Sequence, residues 1–368
     1  MKRFFAMTAA CFMALAWLPT AAVAVGTSAS CAILMEYESG RVLYSENIHE
    51  MRSIASITKL MTALVAVEQT QDLSQIVTVG AESCEIEGSS IYLRPGEQIS
   101  VEALLYGLLL RSGNDAANAL AVQCGGSVDG FVALMNEKAQ TLGMEHTHFT
   151  NPSGLSDENH YSTAYDMALL TRACLANETV STITATKNAT YGTRVFSNHN
   201  KLLWRYEGCI GMKTGFTKDA GRTLVSAAQR GGMTLIVVTL NDGDDWKDHA
   251  ALFDYGFSTW AGIDLAAKSE VVANVPVTGG LTPFVPVVAQ EGIAYPFASE
   301  EAPQRRIELN GDSLSAPIIE GAPVGRLVFL LNGEEIAATP LLAGETVPSV
   351  IAPKRNIPGR ILDFFGLS

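Results

Sequence analysis

Up to about residue 260, apolar positions along the chain gather in three blocks, strand-like at both ends and helical between. Residues 31–37 read as a strand, Glu38-Ser39-Gly40 as a turn and residues 41–44 as the antiparallel return, so a hairpin opens the fold. In residues 56–68, Leu60, Met61, Leu64, Val65 and Val67 share a helical face, with Ser56 at the start where the first amides need an acceptor. A second apolar helix opens at Ser100-Val101-Glu102 and runs to Leu110. After a break at Ser112-Gly113-Asn114 the helical pattern resumes over 115–123, then continues in 128–142 and 165–175. Strand patterns return at 210–216, 223–229 and 235–240, the last two joined by Arg230-Gly231-Gly232 as a hairpin turn, and residues 247–260 close with a helix.

Two strands before the helical block and three after it predict an α+β domain. Its five-stranded antiparallel sheet is assembled from both ends of the segment, with helices on both faces. Beyond Gly262 the pattern changes to short β-branched runs, at 271–277, 284–288, 305–309 and 326–331, separated by Gly, Pro and Asn. These predict a small all-β domain. A chain of 368 residues, longer than the roughly 100–200 usual for one domain, agrees with two.

Composition narrows the function classes. The chain has 25 basic and 38 acidic residues, a net charge of −13, which disfavours a phosphate backbone as partner, so no nucleic acid is expected. Residues 261–349 carry 11 acidic and 4 basic residues, about half of that excess. At the N-terminus, Lys2 and Arg3 precede an apolar run over 4–18 and the small residues Ala22-Val23-Ala24, the signature of a secretory signal peptide spanning 1–24. The run is shorter than the roughly 20 residues a spanning helix needs. Loss of the signal removes Cys11 and leaves five cysteines, an odd number with no CxxC pair, so neither a disulfide scaffold nor metal or redox chemistry is expected of them.

Three short elements carry candidate chemistry. Ser56-Ile57-Thr58-Lys59 sets a hydroxyl and an amine three residues apart at a helix start, on one face and within mutual reach. A serine hydroxyl must lose its proton as it attacks, and a desolvated lysine of lowered pKa can take it. The plain alternative is a capping serine followed by an exposed lysine. Ser112-Gly113-Asn114 breaks an apolar helix, putting a hydroxyl and an amide side chain on a loop; the alternative is a helix-to-helix turn. Lys213-Thr214-Gly215 lies in a strand pattern, where Gly215 lets another backbone approach while Lys213 and Thr214 can hold a carboxylate; the alternative is an edge strand with a solubilising lysine.

In that order, on helix, loop and strand, these elements resemble the motif set of the penicillin-recognising serine enzymes. Stretches at 32–35, 90–96 (SIYLRPG), 114–119, 151–155, 160–167 (HYSTAYDM) and 200–204 resemble the low-molecular-mass penicillin-binding proteins that are serine-type D-alanyl-D-alanine carboxypeptidases. The resemblance implies a β-lactamase/transpeptidase-like catalytic domain over 25–261 and a β-rich domain over 262–349. It makes Ser56 the acylated nucleophile, Lys59 its general base, and Ser112 a proton relay to the leaving amine. Asn114 would hold the substrate's amide backbone, Lys213, Thr214 and Gly215 would take the terminal carboxylate, and the amides of Ser56 and Phe216 would form the oxyanion hole. Implied partners are peptidoglycan stem peptides and, as covalent inhibitors, β-lactams, with an extracytoplasmic location, no metal and no cofactor. Residues 350–368, with Lys354, Arg355, Arg360, Phe364 and Phe365, are expected to form an amphipathic tail in peripheral contact with the membrane, although Pro358 and Gly359 interrupt any helix.

Two other readings share these motifs. A class A β-lactamase carries Asp in the middle of the second element, where this chain has Gly113, and a glutamate for deacylation, for which Glu145 and Glu158 fall in the right stretch. A non-catalytic wall-binding or β-lactam-sensing protein would be expected to lack Ser56 or Lys59, and both are present.

Overall fold

The computed structural model describes residues 25–350 apart from Asp312. The expected signal peptide and nearly all of the expected tail lie outside the described residues. The main sheet contains β1 (Cys31–Glu36), β2 (Val42–Glu46), β3 (Cys209–Thr217), β4 (Gly221–Arg230) and β5 (Met233–Leu240). Their spatial order is β2-β1-β5-β4-β3 and every pairing is antiparallel. The two ends of the segment up to about residue 260 thus meet in mid-sheet, where Ile33 of β1 and Val225 of β4 both stand opposite Val238 of β5.

Uninterrupted apolar runs are usual where a strand is covered on both faces. Here the two-residue period splits each run between two cores. Cys31, Ile33, Met35, Ile236 and Val238 enter the larger core, and Ala32, Leu34, Leu235 and Val237 enter the smaller one. The larger core is filled by α1 (Lys59–Gln69), α2 (Val101–Arg111), α3 (Asn114–Gly125), α4 (Val128–Thr141), α5 (Ala164–Ala176) and α6 (Glu178–Ala185). Past the short α7 (Leu202–Arg205), α8 (Asp245–Thr259) covers the opposite face with Leu252 and Phe253. Eight consecutive residues of α1, from Lys59 to Ala66, are buried. It is a central helix rather than an amphipathic surface one.

Beyond α8, the strand Trp260–Ala266 pairs with Ile293–Ala298. A separate six-stranded sheet then builds the all-β region around Val285, Val287, Leu327, Phe329 and Leu341. Its longest strand, Glu334–Ala343, is absent from the sequence reading because Glu334, Glu335 and Pro340 interrupt the apolar pattern. Arg41, in the first hairpin, ties this region to the five-stranded one. It donates to Glu301 at 2.9 and 2.6 Å and to the Pro296 carbonyl at 2.7 Å, and its guanidinium lies 4.4 Å from the Trp260 ring centroid.

One local expectation is corrected. Ser56 does not cap a helix: residues Ala55–Thr58 form a 3-10 turn, α1 begins only at Lys59, and neither element has a side-chain cap hydrogen bond. The turn is tightened by Ala55, at φ +50° in the left-handed region that non-glycine residues rarely occupy, whose carbonyl accepts from the Thr58 hydroxyl at 2.8 Å. The Ser56 side chain is left free of the backbone and turned toward Lys59.

Candidate active site

Two of the three sequence elements meet at a cleft of about 480 Å³ between the edge of the sheet and the helical block, with the Ser56 turn between them. Ser56, Ser112, Thr214, Gly215 and Phe216 line it, while Lys59, Asn114 and Lys213 are buried.

Lys59 is fully buried at 0% exposure, so it is not the surface lysine that usually follows a capping serine. Its Nζ lies 2.9 Å from Ser56 Oγ and 2.8 Å from Asn114 Oδ1, and it also meets the Ser153 carbonyl. Burial, and then the nearby Lys213 ammonium, hold its pKa well below the ordinary lysine value, against an opposing pull from Asp115. The Asn114 orientation is fixed independently, because its Nδ2 donates to the Glu87 carbonyl at 2.7 Å. Ser153 is presented by an Asn151 turn whose Oδ1 accepts from the amides of Ser153, Gly154 and Leu155.

Ser112 ends α2 in the left-handed region at φ +61°, a position glycine usually fills, and Asn114 opens α3 by donating its amide to the Ser89 carbonyl at 2.7 Å. The helix break is therefore built around Ser112. Next to it, the Asp115 carboxylate accepts from the amides of Ile91 and Leu93 at 3.0 Å each and from the Ser90 hydroxyl at 2.6 Å. One buried acid holds the 90–96 loop against the cleft.

Lys213 and Gly215 lie in β3, which is an edge strand as the alternative reading had it, but Lys213 is only 1% exposed. Its Nζ donates to the Thr214 carbonyl at 2.7 Å, and burial lowers its pKa to about 7. Gly215 is needed for close approach. A Cβ there would fall 2.4 Å from Thr223 Oγ1, 3.0 Å from the Ser56 amide nitrogen and 3.1 Å from that of Ile57. The edge strand is therefore pressed against the Ser56 turn.

The family is decided by the match of this chain to a family model. The model for D-alanyl-D-alanine carboxypeptidases matches residues 19–244, and that for the C-terminal domain of penicillin-binding protein 5 matches residues 261–349. The chain belongs to the S11 family of D-alanyl-D-alanine carboxypeptidases. Among relatives, it is 34% identical to D-alanyl-D-alanine carboxypeptidase DacF of Bacillus subtilis over 332 residues, covering 86% of this chain and 85% of that protein. It is also 34% identical to DacC of Escherichia coli over 349 residues, covering 90% and 86%. Penicillin-binding protein 5 from Haemophilus influenzae superimposes with a TM-score of 0.78 at 30% identity, over 88% of this chain and 98% of that one. The fold expected from the sequence is thus the fold of the S11 family, all-β domain included.

Several residues at the S11 cleft were not singled out by the sequence motifs. Lys201, Arg222 and Trp246 also line it, and Arg222 pairs with Asp245 at the start of α8. Arg222 stands opposite Phe216 in the β3–β4 register, a pairing that the sequence reading did not assign. Trp246 had no sequence signal. Glu145 and Glu158, the candidate deacylating glutamates, are both exposed and neither lines the cleft; Glu158 lines a separate cavity with Arg52 and Asp219. Among the described residues no group of three or more His, Cys, Asp or Glu side chains could hold a metal ion, and all five cysteines are free thiols.

Proposed function

We propose that this carboxypeptidase removes the terminal D-alanine of peptidoglycan stem peptides through an acyl-enzyme on Ser56, and that penicillin acylates the same oxygen. The hydrogen bonds of Lys59 carry the reading. Two of its three partners, Asn114 Oδ1 and the Ser153 carbonyl, can only accept, so a neutral amine spends both N–H groups on them. Its lone pair is then left facing Ser56 Oγ at 2.9 Å, where it can take the hydroxyl proton as the oxygen attacks the penultimate carbonyl. Desolvation and the Lys213 charge both favour the neutral amine.

The amides of Ser56 and Phe216 would receive the oxyanion, each worth about 3 kcal/mol of barrier by analogy with other oxyanion holes. Ser112, at the cleft wall, relays a proton to the departing D-alanine amine, and Asn114 aligns the substrate backbone. Lys213, Thr214 and Gly215 take the terminal carboxylate, a buried cation inside a protein of net charge −13. Water then hydrolyses the ester. A β-lactamase is the weaker reading because no glutamate stands at the cleft to activate that water. We place the enzyme outside the cytoplasm, delivered by the signal peptide over 1–24, with the 350–368 tail in peripheral membrane contact.

The deciding experiment is mass spectrometry of the mature protein incubated with a peptide ending in D-Ala-D-Ala, and separately with penicillin. Loss of one alanine is expected, together with a penicillin adduct on the Ser56 peptide that is missing in Ser56→Ala. Rapid penicillin turnover without alanine release would overturn the assignment in favour of a β-lactamase.

A further inference from the structure

The HYSTAYDM stretch is left without a role by the chemistry above, yet its first residue touches the catalytic turn. His160 is 2% exposed, with its ring edge-on to Phe149 at a centroid distance of 5.6 Å. Its Nε2 lies 2.8 Å from Thr58 Oγ1, two residues from the nucleophile. The surrounding bonds fix its protons. The Thr150 amide donates to Nδ1 at 3.1 Å, so Nδ1 carries no hydrogen and Nε2 does. The single Thr58 hydroxyl proton goes to the Ala55 carbonyl at 2.8 Å, so Thr58 Oγ1 accepts from His160. The result is a one-way chain: Thr150 N–H to His160, His160 N–H to Thr58, Thr58 O–H to Ala55. It ends on the residue whose left-handed backbone precedes Ser56. The same loop packs on that carbonyl, since a Cβ on Gly154 would sit 2.0 Å from Ala55 O, and it supplies the Ser153 carbonyl that binds Lys59.

We propose that His160 is a positioning residue for acylation, holding the Ala55–Thr58 turn in its strained form through Thr58, and that protonation of its ring releases the turn. The inference rests on the assignment of Ser56 as nucleophile. An imidazolium would carry a proton on Nδ1 against the Thr150 amide that now donates there, and the ring would have to turn to give that proton to the Thr150 hydroxyl, 3.3 Å away. The charges that act on the ring are Asp157 in its own loop, His148 on the segment opposite and Lys59 on α1, and Arg52, Glu158 and Asp219 line the same cavity as His160. Burial lowers the pKa to about 4, with Asp157 opposing and His148 and Lys59 adding to the shift, so the ring is neutral through the working range. Glutamine can reproduce both bonds, its NH2 toward Thr58 and its carbonyl toward the Thr150 amide, without titrating.

The test measures acylation by a fluorescent penicillin and D-alanine release from a D-Ala-D-Ala peptide, between pH 3.5 and 8. It compares mature wild type, His160→Ala, His160→Gln and Thr58→Val, each checked for folding by circular dichroism. At pH 7, His160→Ala is expected to acylate about 100-fold more slowly, the scale of a misplaced reacting group, with the peptide KM changed less than about threefold. His160→Gln should stay within about fivefold of wild type. As pH falls from 6 to 3.5, the Gln to wild-type rate ratio should rise about fourfold, because with a pKa near 4 only about a quarter of His160 stays neutral at pH 3.5. If the alanine variant does not fold, Thr58→Val, which removes the middle of the chain at nearly constant volume, should show the same loss. A folded alanine variant that acylates like wild type, a glutamine variant as slow as alanine, or a ratio that does not move with pH would each overturn the inference. Wild type that never acylates would overturn the Ser56 assignment itself, which separates the two failures.

Discussion

Gly215→Ala adds one methyl group at the tightest contact in the cleft. The new Cβ would stand 2.4 Å from Thr223 Oγ1, close to 1 Å inside an ordinary carbon–oxygen contact, and 3.0 Å from the Ser56 amide. Thr223 cannot turn away cheaply, because its hydroxyl donates to the Ile54 carbonyl at 3.0 Å and the residue is fully buried. Within the sheet β3 pairs with β4 alone, so it is the element that moves, on the order of 0.5–1 Å outward. That displacement separates the Phe216 amide from the Ser56 amide, and losing one oxyanion donor costs about 100- to 1,000-fold in rate. The fold should survive, because overpacking of this size costs about 1–3 kcal/mol against a typical stability of about 5–15. The assay is stopped-flow acylation by penicillin, with thermal unfolding as the control. Adding Thr223→Ala removes the clashing oxygen and should restore part of the rate. A folded Gly215→Ala enzyme acylating within threefold of wild type would refute both the contact and the placing of the oxyanion hole.

Two further outcomes follow from groups away from the nucleophile. Lys213 has a pKa near 7 in the empty cleft, and a carboxylate ligand favours its charged form. Below pH 7 the cation is already present; above it, binding must take up a proton, so affinity for a carboxylate-terminated inhibitor should weaken by up to tenfold per pH unit. Titration calorimetry between pH 6 and 9 in two buffers of different ionisation enthalpy would detect the proton, and pH-independent affinity would count against the assignment. Arg41→Ala removes the clasp to Glu301, Pro296 and Trp260. It should lower stability by about 1–2 kcal/mol, since the pair is only partly exposed, and speed proteolysis near residues 260–266 while leaving D-alanine release unchanged. Equal cleavage rates would show that the clasp does not hold the two regions together.

Much of the fold was legible because the inner strands are apolar on both faces, a pattern that survives without any knowledge of neighbours. What the sequence could not supply was the rest of the strand order: the Arg230-Gly231-Gly232 turn put β4 beside β5, but nothing in β5 says that β1 will lie on its other side. The helix Glu178–Ala185 was missed for a propensity reason: Thr179, Val180, Thr182, Ile183 and Thr184 are β-branched, and only the Asn177 side chain accepting from the Val180 amide marks its start. At the site, Ser56 and Lys59 were legible because their partnership is local, three residues apart on one turn. The Ser153 carbonyl, His160 and Arg222 were not, because they come to Lys59, Thr58 and the cleft wall from segments about a hundred or more residues away from Ser56, through backbone geometry that leaves little trace in residue type. The burial of Lys59 and Lys213, which separates a reactive amine from a solubilising one, is likewise a property of the assembled layers.

The position of β3 at the margin of the sheet bears on how such an enzyme can change over generations. A wall that borders on one strand can shift without unpairing the other four, so variation there reshapes the cleft before it endangers the chain's ability to fold. Residues of β1 or β5 have no such latitude, since each is clasped between two strands and two cores. A change of cleft shape is thus reached most readily through the outermost strand and the loops that face it, with the centre of the molecule left as it was.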